Sequence, residues 1–161
     1  MNLENIKEFV KNKHGNQKRK HGTPYYLHPF AVAEKLKEKG YGIDYQIVGL
    51  FHDLLEDTDA TYEELIELSN KEIADVVRLL TKEDGYIIGE YFGRIENSEM
   101  ARVVKLADRI HNLEESIYAD KSFREKYIKE TEKYFINLAK GTIFEKDLKI
   151  IIEKVVKIDS K

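Results

Sequence analysis

The chain of 161 residues contains no cysteine. That excludes a disulfide framework, a thiolate zinc site and a cysteine nucleophile. Proline is scarce: there are two, Pro24 and Pro29, both near the N-terminus. No apolar run approaches the roughly 18 residues that span a bilayer, so no membrane partner is expected. A charge excess is missing as well, with 27 Lys and Arg against 30 Asp and Glu and a net charge of -3. Nucleic-acid binders tend to be strongly basic, so nucleic acid is not expected as a partner, although a local cationic pocket remains compatible with this balance. The segment Met1 to Lys7 is polar and amphipathic, without the apolar centre of a signal peptide. With the absence of cysteine, this points to the cytoplasm.

Hydrophobic residues make up 42% and charged residues 35%, a mix that can bury a core. The length suits one domain, residues 1–161. Helical periodicity runs throughout, and no segment alternates apolar and polar residues around a hairpin turn. Residues 2–13 form a first helix with Leu3, Ile6, Phe9 and Val10 on one face, and a polar loop follows to Leu27. Pro29 suits the first turn of a second helix, ended by Gly40 and Gly42. A third helix is expected over 44–55. Thr61 with Glu64 makes a capping box for a short fourth, and Asn70 caps a fifth reaching Thr81. Further helices are expected over 86–95 and 98–118. Two more begin at the capping-box pairs Ser122 with Glu125 and Thr142 with Glu145. The stripes Phe123, Tyr127, Phe135, Leu138 and Leu148, Ile151, Ile152, Val155, Val156 read as core. The C-terminal helices, 121–158, either close the core or form a dimer face. The fold class is all-α.

Three segments carry the chemistry. On an ideal helix, His52, Asp53, Glu56 and Asp57 share an arc of about 140°, opposite Val48, Phe51, Leu54 and Leu55. This is either a solvated acidic face or a cation site. Carboxylates at a helix C-terminus oppose the macrodipole, and a bound cation would offset that. Lys105, Asp108, Arg109 and Asn112 likewise lie within about 100° of one another, apart from Val103, Leu106, Ile110 and Leu113. Together His28, His52, Asp53 and Asp108 offer two imidazoles and two carboxylates. That set suits one divalent metal of the Mn²⁺, Fe²⁺, Co²⁺ or Zn²⁺ type, with positions left for water. Glu56 and Asp57 are placed to orient such a water or take its proton. His111, three residues after Asp108, reads as a supporting histidine more than a ligand. Lys18, Arg19 and Lys20 form either a solvated loop or a site for a phosphate-rich ligand.

The runs Arg19-Lys20 through Pro24-Tyr25 to His28-Pro29, His52-Asp53 through Glu56-Asp57-Thr58, and Val104-Lys105-Leu106-Ala107-Asp108-Arg109 to His111-Asn112 occur in an order that resembles the HD superfamily of metal-dependent phosphohydrolases. More narrowly they resemble the hydrolase domain of RelA/SpoT-type proteins and the stand-alone small alarmone hydrolases, over about residues 5–118. The resemblance implies a helical HD-type bundle with a Mn²⁺-type site at His28, His52, Asp53 and Asp108. It implies catalytic roles for Glu56 and Asp57, and nucleotide contacts from Arg19, Lys20, Lys105 and Asn112. The implied reaction is removal of the 3′-pyrophosphate of ppGpp and pppGpp, by a chain too short for a synthetase domain. Other expectations are an HD phosphohydrolase acting on a different nucleotide or phosphorylated cofactor, and a nucleotide sensor without turnover. One departure bears on substrate: Glu114 and Glu115 stand where alarmone hydrolases usually carry Arg and a small polar residue. A carboxylate at 115, nearly in line with Asp108, would repel a pyrophosphate.

Overall fold

The computed structural model describes residues 1–160. Among these residues the chain is helical, with one isolated bridge, Lys18 to Pro24, in place of a sheet. The order is α1 (Leu3–His14), α2 (Leu27–Glu38), α3 (Ile43–Phe51), α4 (Leu54–Asp57), α5 (Tyr62–Leu68), α6 (Lys71–Leu80), α7 (Ile88–Glu96), α8 (Glu99–Glu115), a 3₁₀ turn (Ser116–Tyr118), α9 (Lys121–Ala139) and α10 (Glu145–Ile158). The all-α expectation holds.

Local chemistry sets most boundaries. Thr61 and Glu64 form the reciprocal capping box of α5. Asn70 and Ser98 cap α6 and α8 by accepting from Ile73 and Ala101. Two expected starts shift. Asp120 caps α9, accepting from the Phe123 amide at 2.8 Å, two residues ahead of Ser122. Thr142 turns its hydroxyl back to the Ala139 carbonyl at 2.7 Å, so α10 begins only at Glu145. Tyr86 and Ile87 precede α7, and Ser116 to Tyr118 tighten into the 3₁₀ turn.

Helix α8 is central, touching α2, α3, α6, α7, α9 and α10. Val104, Leu106, Ala107 and Leu113 are fully buried within it. The C-terminal helices close the core: Phe135 of α9 and Leu148 of α10 are fully buried, and Phe144 and Val155 are almost so. Arg109 is buried and spans the α8–α9 interface. Its guanidinium lies 3.9 Å from the centre of Tyr127 and 4.2 Å from that of Phe135. It donates to Thr131 and Glu130, and so leaves the arc it shares in sequence with Asp108.

Gly49 lets α2 and α3 pack closely. A Cβ there would lie 3.0 Å from a Leu36 methyl and 3.4 Å from the Ala33 backbone. This close approach brings the first turn of α2, with His28, beside the end of α3, with His52. The expected helix over 44–55 is broken at that point. Asp53 takes φ −101°, ψ −5°, and α4 restarts at Leu54. The His52 Nδ1 donates to the Gly49 carbonyl at 2.6 Å. On an unbroken helix consecutive side chains diverge by about 100°. Here the break turns both His52 and Asp53 toward one point.

Candidate metal centre and active site

His28 is 1% exposed, His52 5% and Asp108 7%. The His28 Nε2 lies 2.7 Å and the His52 Nε2 3.2 Å from Oδ1 of Asp108. One donor atom from each of these three residues falls within 4.8 Å of the others. Asp53 joins through Oδ2, 3.1 Å from His52 Nε2 and 3.7 Å from His28 Nε2. The four residues singled out in sequence as ligands therefore meet.

The cluster demands positive charge. Burial alone would lower the His52 pKa, but Asp53 and Asp108 outweigh it and hold the imidazole well above its ordinary range. Burial would likewise raise both carboxyls, yet His52 keeps Asp53 low, and His52 with Lys105 keeps Asp108 well below the carboxylate range. Buried imidazole nitrogens and ionised carboxylates converging on one point are a donor set that fits a divalent metal. Supporting bonds fix it. Tyr25 donates to Asp53 Oδ2 at 2.7 Å, Asn112 donates to Asp108 Oδ1 at 3.2 Å, and Lys105 reaches Asp108 Oδ2 at 3.5 Å.

Glu56 and Asp57 lie at the exposed rim. Glu56 accepts from the Lys82 amide at 2.6 Å. The Tyr25 hydroxyl lies 3.4 Å from Asp57 Oδ2. Burial, then Asp53 and Glu56, push the Asp57 carboxyl up to about 6. Lys82 and Lys105 share this end of the site. Their ammonium groups lie 5.6 and 5.5 Å from the centre of the Tyr91 ring. Burial, then Lys105, lower the Lys82 pKa.

Beside the cluster opens a cavity of about 300 Å³ lined by Arg19, Lys20, His21, Asn112, Glu115, Phe123 and Tyr127, among others. The loop that carries Arg19 is ordered. Arg19 N–H donates to the Thr23 carbonyl and Gly22 N–H to the Arg19 carbonyl, in a turn that Gly22 closes at φ 94°. The Arg19 guanidinium donates to Asn112 Oδ1 at 2.7 Å, and Lys20 lies over Phe123 at 3.9 Å. Asn112 thus touches both the cavity and the cluster.

The two glutamates separate. Glu114 pairs with Lys35 on α2, away from this cavity. Glu115 enters it, 18% exposed, with Oε1 3.4 Å from Arg19 and Oε2 2.8 Å from His21. Its charge is answered by these partners. His111 lies behind the cluster: its Nδ1 faces Nδ1 of His28 at 2.7 Å. Burial, then His28, Arg19 and Lys35, push its imidazole down to about 3, so it is neutral. The sequence reading passed over Tyr25, although it lies within the Pro24 to Pro29 run, and over the aromatic wall of Phe123 and Tyr127, which reads as core by spacing. His14 also lies here. Its ring is 4.9 Å from Tyr25, and its Nδ1 is 2.9 Å from Gln17 Oε1.

Residues 7–85 match the HD domain family. The chain is 39% identical over 145 residues to a guanosine-3′,5′-bis(diphosphate) 3′-pyrophosphohydrolase of Aquifex aeolicus (strain VF5), with 82% of this chain and 20% of that one covered. It is 37% identical over 114 residues to the guanosine-3′,5′-bis(diphosphate) 3′-pyrophosphohydrolase MESH1 of Danio rerio, covering 65% of this chain and 63% of that one. It thus spans about a fifth of the first relative and under two thirds of the second. A solved structure, described as a metazoan ortholog of SpoT that hydrolyzes ppGpp and plays a role in starvation responses, superposes with a TM-score of 0.80 at 22% identity, over 98% of this chain and 95% of that one. That likeness gives the fold. Among the described residues no helix is long and apolar enough to cross a membrane. With its helical core, its buried His28, His52, Asp53 and Asp108, and these matches, the chain belongs to the HD-domain family.

Proposed function

We propose that this protein is a metal-dependent phosphohydrolase that removes the 3′-pyrophosphate of a guanine alarmone such as ppGpp, releasing pyrophosphate and the nucleoside diphosphate. The observation that carries the reading is the meeting of a buried two-histidine, two-carboxylate cluster with a cationic, aromatic-walled cavity. The named activity of the Aquifex aeolicus and Danio rerio relatives supports it.

In this reading His28, His52, Asp53 and Asp108 hold one divalent metal, for which we propose Mn²⁺. When bound, it supplies Lewis acidity to the phosphoryl group and lowers the pKa of water. Asp57, with its carboxyl near 6, takes the proton of the attacking water, and Glu56 beside it orients that water. The water oxygen bonds to the phosphorus next to the ribose, the bond from that phosphorus to O3′ breaks, and O3′ takes up a proton from solvent as Asp57 returns its own to solvent. Lys82 and Lys105 offset charge on the phosphoryl oxygens. Arg19, Lys20 and Asn112 bind the nucleotide, whose base the Phe123 and Tyr127 wall would cover.

Incubation with ppGpp and Mn²⁺ is expected to yield pyrophosphate and GDP in equal amounts, and to yield neither after chelation. Orthophosphate, or no release, would overturn the reading. A second reading, hydrolysis of another phosphorylated nucleotide, is favoured by one observation: the Glu115 carboxylate inside the cavity. A nucleotide panel separates the two. Arg19→Ala is expected to raise KM about tenfold or more with little change in kcat, the signature of a contact equally strong in ground and transition states. Steady-state kinetics check this, and an unchanged KM would return the loop to plain solvated surface.

A further inference from the structure

Glu115 stands at one end of a line of close polar contacts that reaches the metal centre. Its Oε1 lies 3.1 Å from His111 Nε2. Nδ1 of His111 lies 2.7 Å from Nδ1 of His28. Nε2 of His28 in turn faces Asp108 Oδ1 at 2.7 Å. The His28 and His111 rings are stacked, with centres 4.9 Å apart and planes 27° apart.

The order of protons along this line follows from valence. A carboxylate only accepts, so the Glu115 charge 3.1 Å away favours the His111 tautomer that carries its hydrogen on Nε2. In a neutral ring, His111 Nδ1 is then the acceptor. His28 Nδ1 then donates to it, and the lone pair of His28 Nε2, on the side that faces His52 and Asp108, serves a metal once that nitrogen gives up the hydrogen it shares with Asp108 Oδ1. That is the tautomer a metal ligand requires, and a donor bond from the other ring nitrogen is what holds a ligating histidine in orientation.

We propose that Glu115, acting through His111, is a positioning residue that fixes the ring and the proton of His28 for metal binding. The proposal rests on the reading of the four-residue cluster as a metal centre and on nothing about the substrate. Glu115 is itself held from its other side by His21 at 2.8 Å and Arg19 at 3.4 Å, so one carboxylate ties the cavity loop to the metal centre. If Glu115 merely anchored that loop, metal affinity would not depend on it.

The test is a Co²⁺ titration of the metal-free protein without nucleotide, in competition with a chelator of known affinity, recording the visible absorption of bound Co²⁺. Circular dichroism checks that each variant is folded. Glu115→Ala and Glu115→Thr, both too short to reach His111, are expected to weaken Co²⁺ binding about 10- to 100-fold and to alter the absorption band. Glu115→Gln is expected to restore most of the affinity, since its amide oxygen can take the same place beside His111 Nε2. Glu115→Ala combined with His111→Ala should bind no more weakly than the worse single variant, because both cut one line. Affinity and spectrum within twofold of wild type for both short variants would overturn the proposal. So would a loss as complete as that of Asp108→Asn, which would make Glu115 a direct ligand, since it also lies within 4.8 Å of His28 and His111 donor atoms. If instead His52→Ala binds Co²⁺ as wild type does, the metal-centre reading itself fails, whatever Glu115 does.

Discussion

Asp57→Asn is expected to give a protein that is inactive yet more stable than wild type at neutral pH. Burial and the neighbouring Asp53 and Glu56 hold the Asp57 carboxyl at about 6 in the fold, against 3.8 as its ordinary value. Between those values the folded chain keeps a proton that the unfolded chain has lost. Stability contributed by this site therefore falls as pH rises from about 4 to about 6, and the cost is complete above that. The group is about half exposed, so screening reduces the cost to about 1 kcal/mol. For a chain of this size that is roughly 2–4 °C in Tm. Asn removes the charge and with it the cost. Melting in the presence of chelator should show Asp57→Asn above wild type at pH 7 and equal to it below about pH 4. The rate should fall at least about a hundredfold, or 2.7 kcal/mol of transition-state stabilisation. Glu56→Gln should also fall, because the carboxylate that orients the water is lost. Rates within a few-fold of wild type in both variants would remove Glu56 and Asp57 from the chemistry. A gain in stability with no loss of rate would mark Asp57 as a strained bystander.

Metal binding is expected to move the melting temperature more than any single surface change. Mn²⁺ at a hundredfold over its dissociation constant should stabilise the wild-type fold by about 2.7 kcal/mol, which is roughly 5–10 °C in a domain of this length. Asp108→Asn should abolish that shift. Oδ1 of Asp108 is the point on which His28, His52 and Asn112 all converge, and Oδ2 faces Lys105. Neutralising it removes one charge from the proposed ligand set and leaves Lys105 and the buried His52 imidazole short of a counter-charge. Breaking such a buried set costs on the order of 3 kcal/mol, so the metal-free variant should also melt lower than metal-free wild type. Elemental analysis after desalting gives the second readout, with His52→Ala in parallel. Full metal content in both variants would overturn the ligand assignment.

Much of this was legible from local chemistry. Helix caps at Thr61 and Asn70 act within three residues, so sequence alone places them. The members of the buried cluster were legible too, because His28, His52, Asp53 and Asp108 lie in three short ordered runs. Where local rules competed, the sequence reading slipped. Asp120 and Ser122 are both good N-caps, and only the observed amide bond to Phe123 separates them. Arg109 shares an arc with Asp108 on a helical wheel, but the ring faces of Tyr127 and Phe135 draw it to the other side.

The sequence by itself determined the helical class, the caps at Thr61 and Asn70 and the four residues of the buried cluster, because propensity, capping and donor chemistry depend on residues a few positions apart. Only the tertiary structure decided the geometry. The break at Asp53, the close α2–α3 approach over Gly49 and the turn of Glu115 toward Arg19, His21 and His111 all depend on residues far apart in the chain. A helical wheel carries the direction of a side chain but not what meets it. For that reason the sequence presented Glu115 as a free charge opposing a pyrophosphate, whereas packing makes it a partnered carboxylate joining the cavity to the line of imidazoles behind His28.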